Sequence, residues 1–363
     1  MPEAPGEPRP AGRGPADGGD APAYAEAGVD LAVADRLKRR LGALVEETLG
    51  PEVLGGPGGF GGCFDIGSLP EAEPVLVATT DGVGTKVLVA QAADRHDTIG
   101  EDLVNHCVND LLASGARPLL FLDYIAAGEL REQTTLALVE GFARGCRANR
   151  IPLLGGETAE MPGVYPPDGY DLAGFAVGIA PRGRLERWGR AEPGDAILAL
   201  PSSGLHTNGY TLARKIVLER EGKRLEETVP WGEASWADVL LAVHRSYRDA
   251  VEPLLDDPDL RAAAHVTGGG FSGNLPRALP EGLGARIDPS AWEVPPVFRW
   301  LAEAGGIGDG EMVRVFNMGI GFCLVVAPSA VDRITAGMAE TGERVARIGS
   351  VIEGEGVAWK VSG

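Results

Sequence analysis

A chain of 363 residues and 37.8 kDa has the length of about two ordinary domains, each able to bury its own core, which excludes a single small binding module. Hydrophobic residues at 44% and charged residues at 23% exclude a disordered or fibrous protein. The formal net charge of -19 disfavours nonspecific attraction to nucleic acid or to an acidic membrane, so a polyphosphate ligand must be held by local groups.

Along the chain, residues 1–23 hold six prolines and five glycines with almost no large apolar side chain, and are expected to form a disordered leader. From Tyr24 to Gly50, Val29, Leu31, Val33, Leu37, Leu41 and Val45 recur broadly at helical spacing. The glycine cluster GGPGGFGGCFDIG follows at 55–67. The 53 glycines are about twice the usual share, and their clustering points to tight turns and close backbone approach to ligands. Four segments then have strand character: VLVATT from Val75, PLLFLDYIA from Pro118, IPLLGGE from Ile151 and DLAGFAVGIA from Asp171. Helices are expected between the first three, over about 98–113 and 133–148. Strands and helices in this alternation give an α/β domain.

The polar, turn-rich stretch RGRLERWGRAEPG at 182–194 marks a domain boundary, so the expected division is a leader, an N-terminal domain over 24–186 and a C-terminal domain over 187–363. In the second half the spacing predicts a strand DAILALP, a helix after Asn208 and a polar helical region at 234–255. Strands AHVTGGG, GARID and FNMGIGFCLVVAP follow, with a final strand pair from Val345. Four scattered cysteines form no CxxC pair, which argues against a zinc site or disulfide framework and for buried reduced thiols. No apolar run has the length of a membrane span or the look of a signal peptide, so a cytoplasmic location is expected.

Several motifs carry chemistry. In TTDGVGTK, Asp81 sits on a turn suited to a hard divalent cation. Gly82 and Gly84 let backbone N–H groups approach phosphate oxygens beside Thr85, and Lys86 offers a point charge. The order of residues is not that of a Walker A loop. Asp65, Asp102, Asp110 and Glu157 lie in glycine- or asparagine-rich stretches instead of charged surface runs. Asp102, Asn105 and Asn109 follow i, i+3, i+7 spacing, so one helix face can present three oxygen ligands. GGETAEMP is expected to end a strand, with Glu157 and Glu160 at the mouth where α/β sheets bind ligands. SSGLHTNGY places His206 at a strand-to-helix junction as a candidate acid or base, and His265, before Gly268, Gly269 and Gly270, is the second candidate.

Gly268, Gly270 and Gly273 match a dinucleotide fingerprint, as do Gly56, Gly58 and Gly61. Pro276 and Pro280 prevent the long helix the first match requires, and the second follows a helical segment. Both are expected to be glycine loops for phosphate or turn geometry.

Taken in order, YAEAGVDL, GGFGGCFD, TTDGVGTK, RHDTIGEDLVNHCVNDLLASGARPLLFLDY, GGETAEMPGVY, DLAGFAVG, SSGLHTNGY, AHVTGGGFSGNLPR and FNMGIGF resemble phosphoribosylformylglycinamidine cyclo-ligase, the aminoimidazole ribonucleotide synthetase family. The resemblance runs from Tyr24 to about Gly349. It implies a two-domain α/β (α+β) fold unrelated to ATP-grasp, shared with thiamine-monophosphate kinase and a hydrogenase maturation protein. It also implies a homodimer whose N-terminal domains form a shared β-barrel. ATP and magnesium are the implied cofactors, formylglycinamidine ribonucleotide the substrate, and Asp65, Asp81, Asp110 and Glu157 the magnesium ligands. Nucleotide contacts are implied for the TTDGVGTK turn, Asn109 and the glycines at 268–270, and proton transfer for His206 or His265. Ala25 replaces the lysine usual in the opening motif, and His106 has no counterpart in the family's pattern and is read as structural. A related kinase, a dehydrogenase built on the glycine fingerprint, and a relative without activity are the competing readings.

Overall fold

The computed structural model describes residues 40–56 and 59–360. The expected leader, Ala25, Gly58 and most of the helix expected after Tyr24 lie outside the described residues, of which 40–46 are helical. Strands β1 (Val53–Leu54) and β2 (Cys63–Phe64) form a short antiparallel pair. All four expected strands of the first half form: β3 (Pro74–Gly82), β4 (Arg117–Ala127), β5 (Leu153–Glu160) and β6 (Tyr170–Pro181). They make one mixed sheet in the order β3-β6-β4-β5, with β4 and β5 parallel and the other pairs antiparallel.

Helices α1 (Val87–Ala93), α2 (Ile99–Ala113) and α3 (Glu132–Ala148) accompany this sheet. Helix α2 is buried around most of its circumference because the sheet, α3 and the second half of the chain all pack on it. Its contact with α3 is made backbone to backbone: a Cβ on Gly100 would lie 2.2 Å from the Leu138 carbonyl oxygen, so only glycine fits there.

The second sheet has six strands: β7 (Ala196–Pro201), β8 (Leu260–His265), β9 (Leu283–Ile287), β10 (Ile320–Val326), β11 (Ala346–Glu353) and β12 (Gly356–Trp359), ordered β12-β9-β11-β7-β10-β8. The expected final strand pair does not pair with itself, since β9 lies between β11 and β12 and bonds to both. Strands β7 and β10 are continuous apolar runs because both faces are covered. Leu198, Leu200, Phe322 and Leu324 enter one core, while Ile197, Ala199, Cys323 and Val325 enter the other.

Two expectations about the connections need correction. Arg182–Arg187, inside the expected turn-rich boundary, is helical. The region 234–255 is helical at Trp236–Leu240 and again from Arg248–Val251 into a 3₁₀ turn at Glu252–Leu254, and 242–247 is irregular because its backbone bonds to α2 instead of to itself. After Gly270 the helix lasts five residues and gives way to a 3₁₀ turn containing Pro276, which is too short for the dinucleotide crossover. Cys107, Cys146 and Cys323 are buried thiols, whereas Cys63 is exposed. Among the described residues no helix is long and apolar enough to cross a membrane.

Candidate active site

Asp102, Asn105 and Asn109 on α2 turn toward the irregular segment 242–247 and clamp it. Asp102 Oδ1 accepts the His244 N–H at 2.7 Å. Asn105 donates to the His244 carbonyl at 2.7 Å, and Asn109 donates to the Arg245 carbonyl at 2.8 Å while accepting the Tyr247 N–H at 2.9 Å. The i, i+3, i+7 spacing was legible, but its partner is backbone, which has no side-chain signature. Lys86 belongs to the same clamp. Its Nζ lies 2.7 Å from Asp102 Oδ2 and donates to the Ala242 carbonyl at 2.7 Å, and both side chains of the pair are 0% exposed. Burial lowers the Lys86 pKa and raises that of Asp102 to about 6, each opposed by the other's charge. Lys86 is therefore removed from any surface a phosphate could reach.

The clamp sets His244 beside three other histidines, so four of the chain's five histidines meet in one place. Asp81, at the end of β3, lies 2.9 Å from His106 Nε2 on α2. His106 Nδ1 lies 2.8 Å from Thr207 Oγ1, and this hydroxyl lies 3.3 Å from His244 Nδ1. His244 Nε2 lies 3.0 Å from His265 Nε2, and His265 Nδ1 lies 2.8 Å from Asp110 Oδ1. These residues form a row of five contacts with a carboxylate at each end.

With neutral rings, three imidazoles and one hydroxyl bring one hydrogen each, one too few for the five contacts, so a single added proton would fill the row; Asn109 Nδ2, 3.2 Å from His244 Nε2, is a further donor to that ring. His106 is the ring suited to carry it. Burial opposes its charge, but the bond to Asp81 and the charges of Asp81 and Asp110 outweigh burial and raise its pKa. His244 is held well below the ordinary imidazole value by burial and by its positive neighbours. Burial also lowers His265, against the pull of Asp110. Moving each hydrogen across its contact shifts the charge from the Asp81 end to the Asp110 end, so the row can carry a proton across the site.

The row opens on a cleft of about 590 Å³ lined by Thr79, Asp81, Asp110, His265, Asn274 and Arg277, among others. The side chains of Asp81 and Asp110 are 37% and 29% exposed, so both carboxylates meet solvent there. His206 does not line this cleft. It is buried at φ 61°, stacks on His244 with ring centroids 4.0 Å apart, and accepts the Ser203 N–H through Nε2 at 3.1 Å. It positions His244, and His265 is the histidine on the cleft wall.

Other expected residues scatter. Glu157 lies within β5, not past its end, opposite Tyr124 on β4. The row Asp81, Gly174, Asp123, Gly156 crosses the sheet, so Glu157 sits three strands from Asp81, about 14 Å away, and on the opposite face. Glu160 accepts the Leu130 N–H. Asp65 accepts the Gly67 N–H in a segment whose Phe64 and Leu69 pack on that opposite face. Gly82 donates to Asp81 Oδ1 at 2.8 Å, Gly84 begins a 3₁₀ turn at φ 62°, and Thr85 pairs with Thr211 across the two halves. The glycines 268–270 form the turn before a short helix, with Asn274 donating to the carbonyls of Gly268 and Gly270.

Sequence reasoning missed His244, Thr207, Arg277 and Asp123, and set His106 aside. Asp123, in the same row as Asp81, is pushed up to about 7 by burial and by Glu157. The scarcity of histidine is the available signal: the chain has five, and four of them meet here.

Residues 62–180 match the model of the N-terminal domain of AIR synthase related proteins, and residues 192–362 match that of the C-terminal domain. The chain is 46% identical to phosphoribosylformylglycinamidine cyclo-ligase of Geobacillus kaustophilus (strain HTA426) over 94% of this chain and 99% of that one. It is likewise 46% identical to the enzyme of that name from Geobacillus thermodenitrificans (strain NG80-2), over 93% and 97%. Among solved structures, thiamine-monophosphate kinase from Stenotrophomonas maltophilia K279a aligns at TM-score 0.64 and 22% identity, over 92% of this chain and 96% of that one. The hydrogenase maturation protein HypE in complex with ATP aligns at TM-score 0.62 and 20% identity, over 88% and 86%. At such identities the likeness concerns the two-domain α/β fold.

Proposed function

The chain belongs to the phosphoribosylformylglycinamidine cyclo-ligase family, and from that premise we propose that its active site is the cleft where Asp81 and Asp110 face His106 and His265. Its activity is the ATP-dependent ring closure of formylglycinamidine ribonucleotide to aminoimidazole ribonucleotide, with release of ADP and phosphate, in purine biosynthesis. The formyl oxygen is a poor leaving group. Transfer of the γ-phosphoryl group to it breaks the bond to ADP. A substrate nitrogen then attacks the same carbon, phosphate departs with the oxygen, and the attacking nitrogen loses a proton. Little covalent work falls to the protein in such chemistry, so positioning and charge neutralisation dominate.

The convergence of Asp81 and Asp110 from β3 and α2 on one open cleft carries this reading. With Thr79 beside Asp110, they offer the hard oxygens that magnesium takes together with water. Magnesium bound there would neutralise phosphate charge. Arg277, exposed on the cleft wall, supplies a cation for the anionic substrates, whereas Lys86 is buried against Asp102. His265 receives the proton at the cleft wall, and the row behind it disperses the charge.

We also propose a homodimer. On the sheet face opposite Asp81, Leu76 and Phe175 are 57% and 45% exposed beside Leu122 and Val177, a large apolar surface for a monomer. Joining this face to its copy would close a shared barrel and place Glu157 and Asp65 at the interface, where they could complete the cation site of the second copy. The first sheet ends at Pro181 and the second starts at Ala196, which supports the division into 24–186 and 187–363.

Purified full-length chain is expected to release ADP only when formylglycinamidine ribonucleotide and a divalent cation are both present, with aminoimidazole ribonucleotide formed in equal amount. ADP release without that substrate favours a kinase-type reading, and no release with it overturns the activity. Sedimentation of the same preparation tests the dimer, which a monomer at micromolar concentration would overturn.

A further inference from the structure

We propose that the cavity ringed by Arg117, Arg150 and Arg184, between the two halves of the chain, is a second ligand site that binds a small hydroxylated phosphate ester. It encloses about 380 Å³, within the range of small-molecule pockets and more than a bare phosphate needs. No residue lines both this cavity and the cleft of Asp81 and Asp110.

In a chain of net charge -19, the cavity gathers guanidinium groups from four places. Arg117 begins β4, Arg150 lies between α3 and β5, Arg184 belongs to the helix Arg182–Arg187, and Arg248 bonds through Nε to Glu252 on the cavity wall. Burial lowers the Arg248 pKa against the pull of Glu252, and the nearby charges of Arg150 and Arg117 add to the effect. Arg150 stands at φ 51°, a backbone conformation that favours glycine.

Each arginine meets a carboxylate: Arg117 with Glu71, Arg150 with Asp249, Arg184 with Asp256 and Arg248 with Glu252. The pairs are unequal. The side chain of Arg184 is 7% exposed and held by a bond from Nη1 to the Gly115 carbonyl, whereas that of Asp256 is 80% exposed. Arg150 and Asp249 are both exposed. Ion pairs that reach the surface are worth little, so Asp256 and Asp249 can turn into solvent, and the buried Arg184 cannot follow. Its planar fork then faces the cavity, and such a fork matches phosphate oxygens. The unpaired atoms fit the same ligand. Arg184 Nε and Arg248 Nη1 are buried donors with no partner among the described residues, and Glu71 Oε2 is a buried acceptor without one. Phosphate oxygens would satisfy the donors, and a hydroxyl of the ester would satisfy Glu71.

Calorimetric titration of the full-length chain with glycerol 3-phosphate, and separately with inorganic phosphate and malonate, tests the site. Glycerol 3-phosphate is expected to bind more tightly than either of the others, and about tenfold more weakly in R184Q, the loss of one charge-assisted hydrogen bond. R150Q, at an exposed position where the fold survives the change, is expected to weaken binding as well. D256N removes the competing carboxylate and is expected to bind up to about fivefold more tightly, a gain that a misfolded variant cannot give. D94N makes the same change of charge at an exposed position outside the cavity, and R277Q removes the cation of the cleft; both are expected to bind as the unaltered chain does. Affinity unchanged in R184Q and R150Q, loss of binding in R277Q instead, or no gain in D256N over D94N overturns the site. Inorganic phosphate binding as tightly as the ester overturns the ester in favour of free phosphate, and malonate doing so overturns the assignment to phosphate.

Discussion

Asp81→Asn is expected to lower ATP-dependent turnover by about 10²–10³-fold, the range seen when one preorganised charge-stabilising group is removed from an active site. The substitution keeps the shape of the side chain and an oxygen to accept the Gly82 N–H, so the end of β3 keeps its local bonding. What it removes is a negative charge facing the cleft and the carboxylate that holds His106. The measurement is steady-state ADP release with the cyclisation substrate, alongside thermal unfolding to show that the fold survives. Asp94→Asn is the control: Asp94 ends α1 in the left-handed conformation that asparagine tolerates, and its side chain is 99% exposed. Turnover of D81N within tenfold of the unaltered chain would remove Asp81 from the site.

Lys86→Met has its large effect on stability. It leaves the Asp102 carboxylate fully buried without its cation, and breaking a buried pair in this way costs about 3–5 kcal/mol. Asp102 Oδ1 still accepts the His244 N–H, so the uncompensated charge sits against the segment that carries the histidine row. The double variant K86M/D102N keeps that acceptor and removes both charges, and is expected to recover most of the loss. Urea unfolding of both variants provides the measurement. A loss below about 1 kcal/mol in K86M, a typical value for an exposed pair, would show that the pair is not load-sharing in the fold. ATP affinity of the double variant then reports on the abandoned phosphate role: a value close to that of the unaltered chain is expected, because Lys86 does not reach the cleft.

The two predictions treat neighbouring residues of one motif very differently, and the sequence offers no means to separate them. TTDGVGTK reads as a single phosphate and cation turn. The chain, however, turns at Gly84 and enters α1, so Asp81 faces the cleft while Lys86, five residues on, points into the core beneath segment 242–247. A lysine next to glycines has the same local signature whether it meets a phosphate or a buried aspartate.

Local information fixed much of the architecture. Strands β3 to β6 and helices α2 and α3 were legible from apolar runs and helical periodicity, because those patterns arise within one element. The shortness of the helix after Gly270 followed from Pro276, whose ring limits the backbone wherever it occurs. Asp81, Asp110 and His265 stood out as acids and imidazole set in glycine- and asparagine-rich stretches, and the ordered motifs carried the family. Only the tertiary structure decided strand order, placing β9 between β11 and β12, and decided which residues share the site. Asp81 and His106 are 25 residues apart, and Asp110 and His265 are 155 apart. Their meeting depends on α2 being buried between the sheet and segment 242–247, a long-range packing event that leaves no periodicity in the sequence. Strand order and register likewise separate Glu157 from Asp81, setting them on different strands and faces, and register is a property of the sheet and not of either strand.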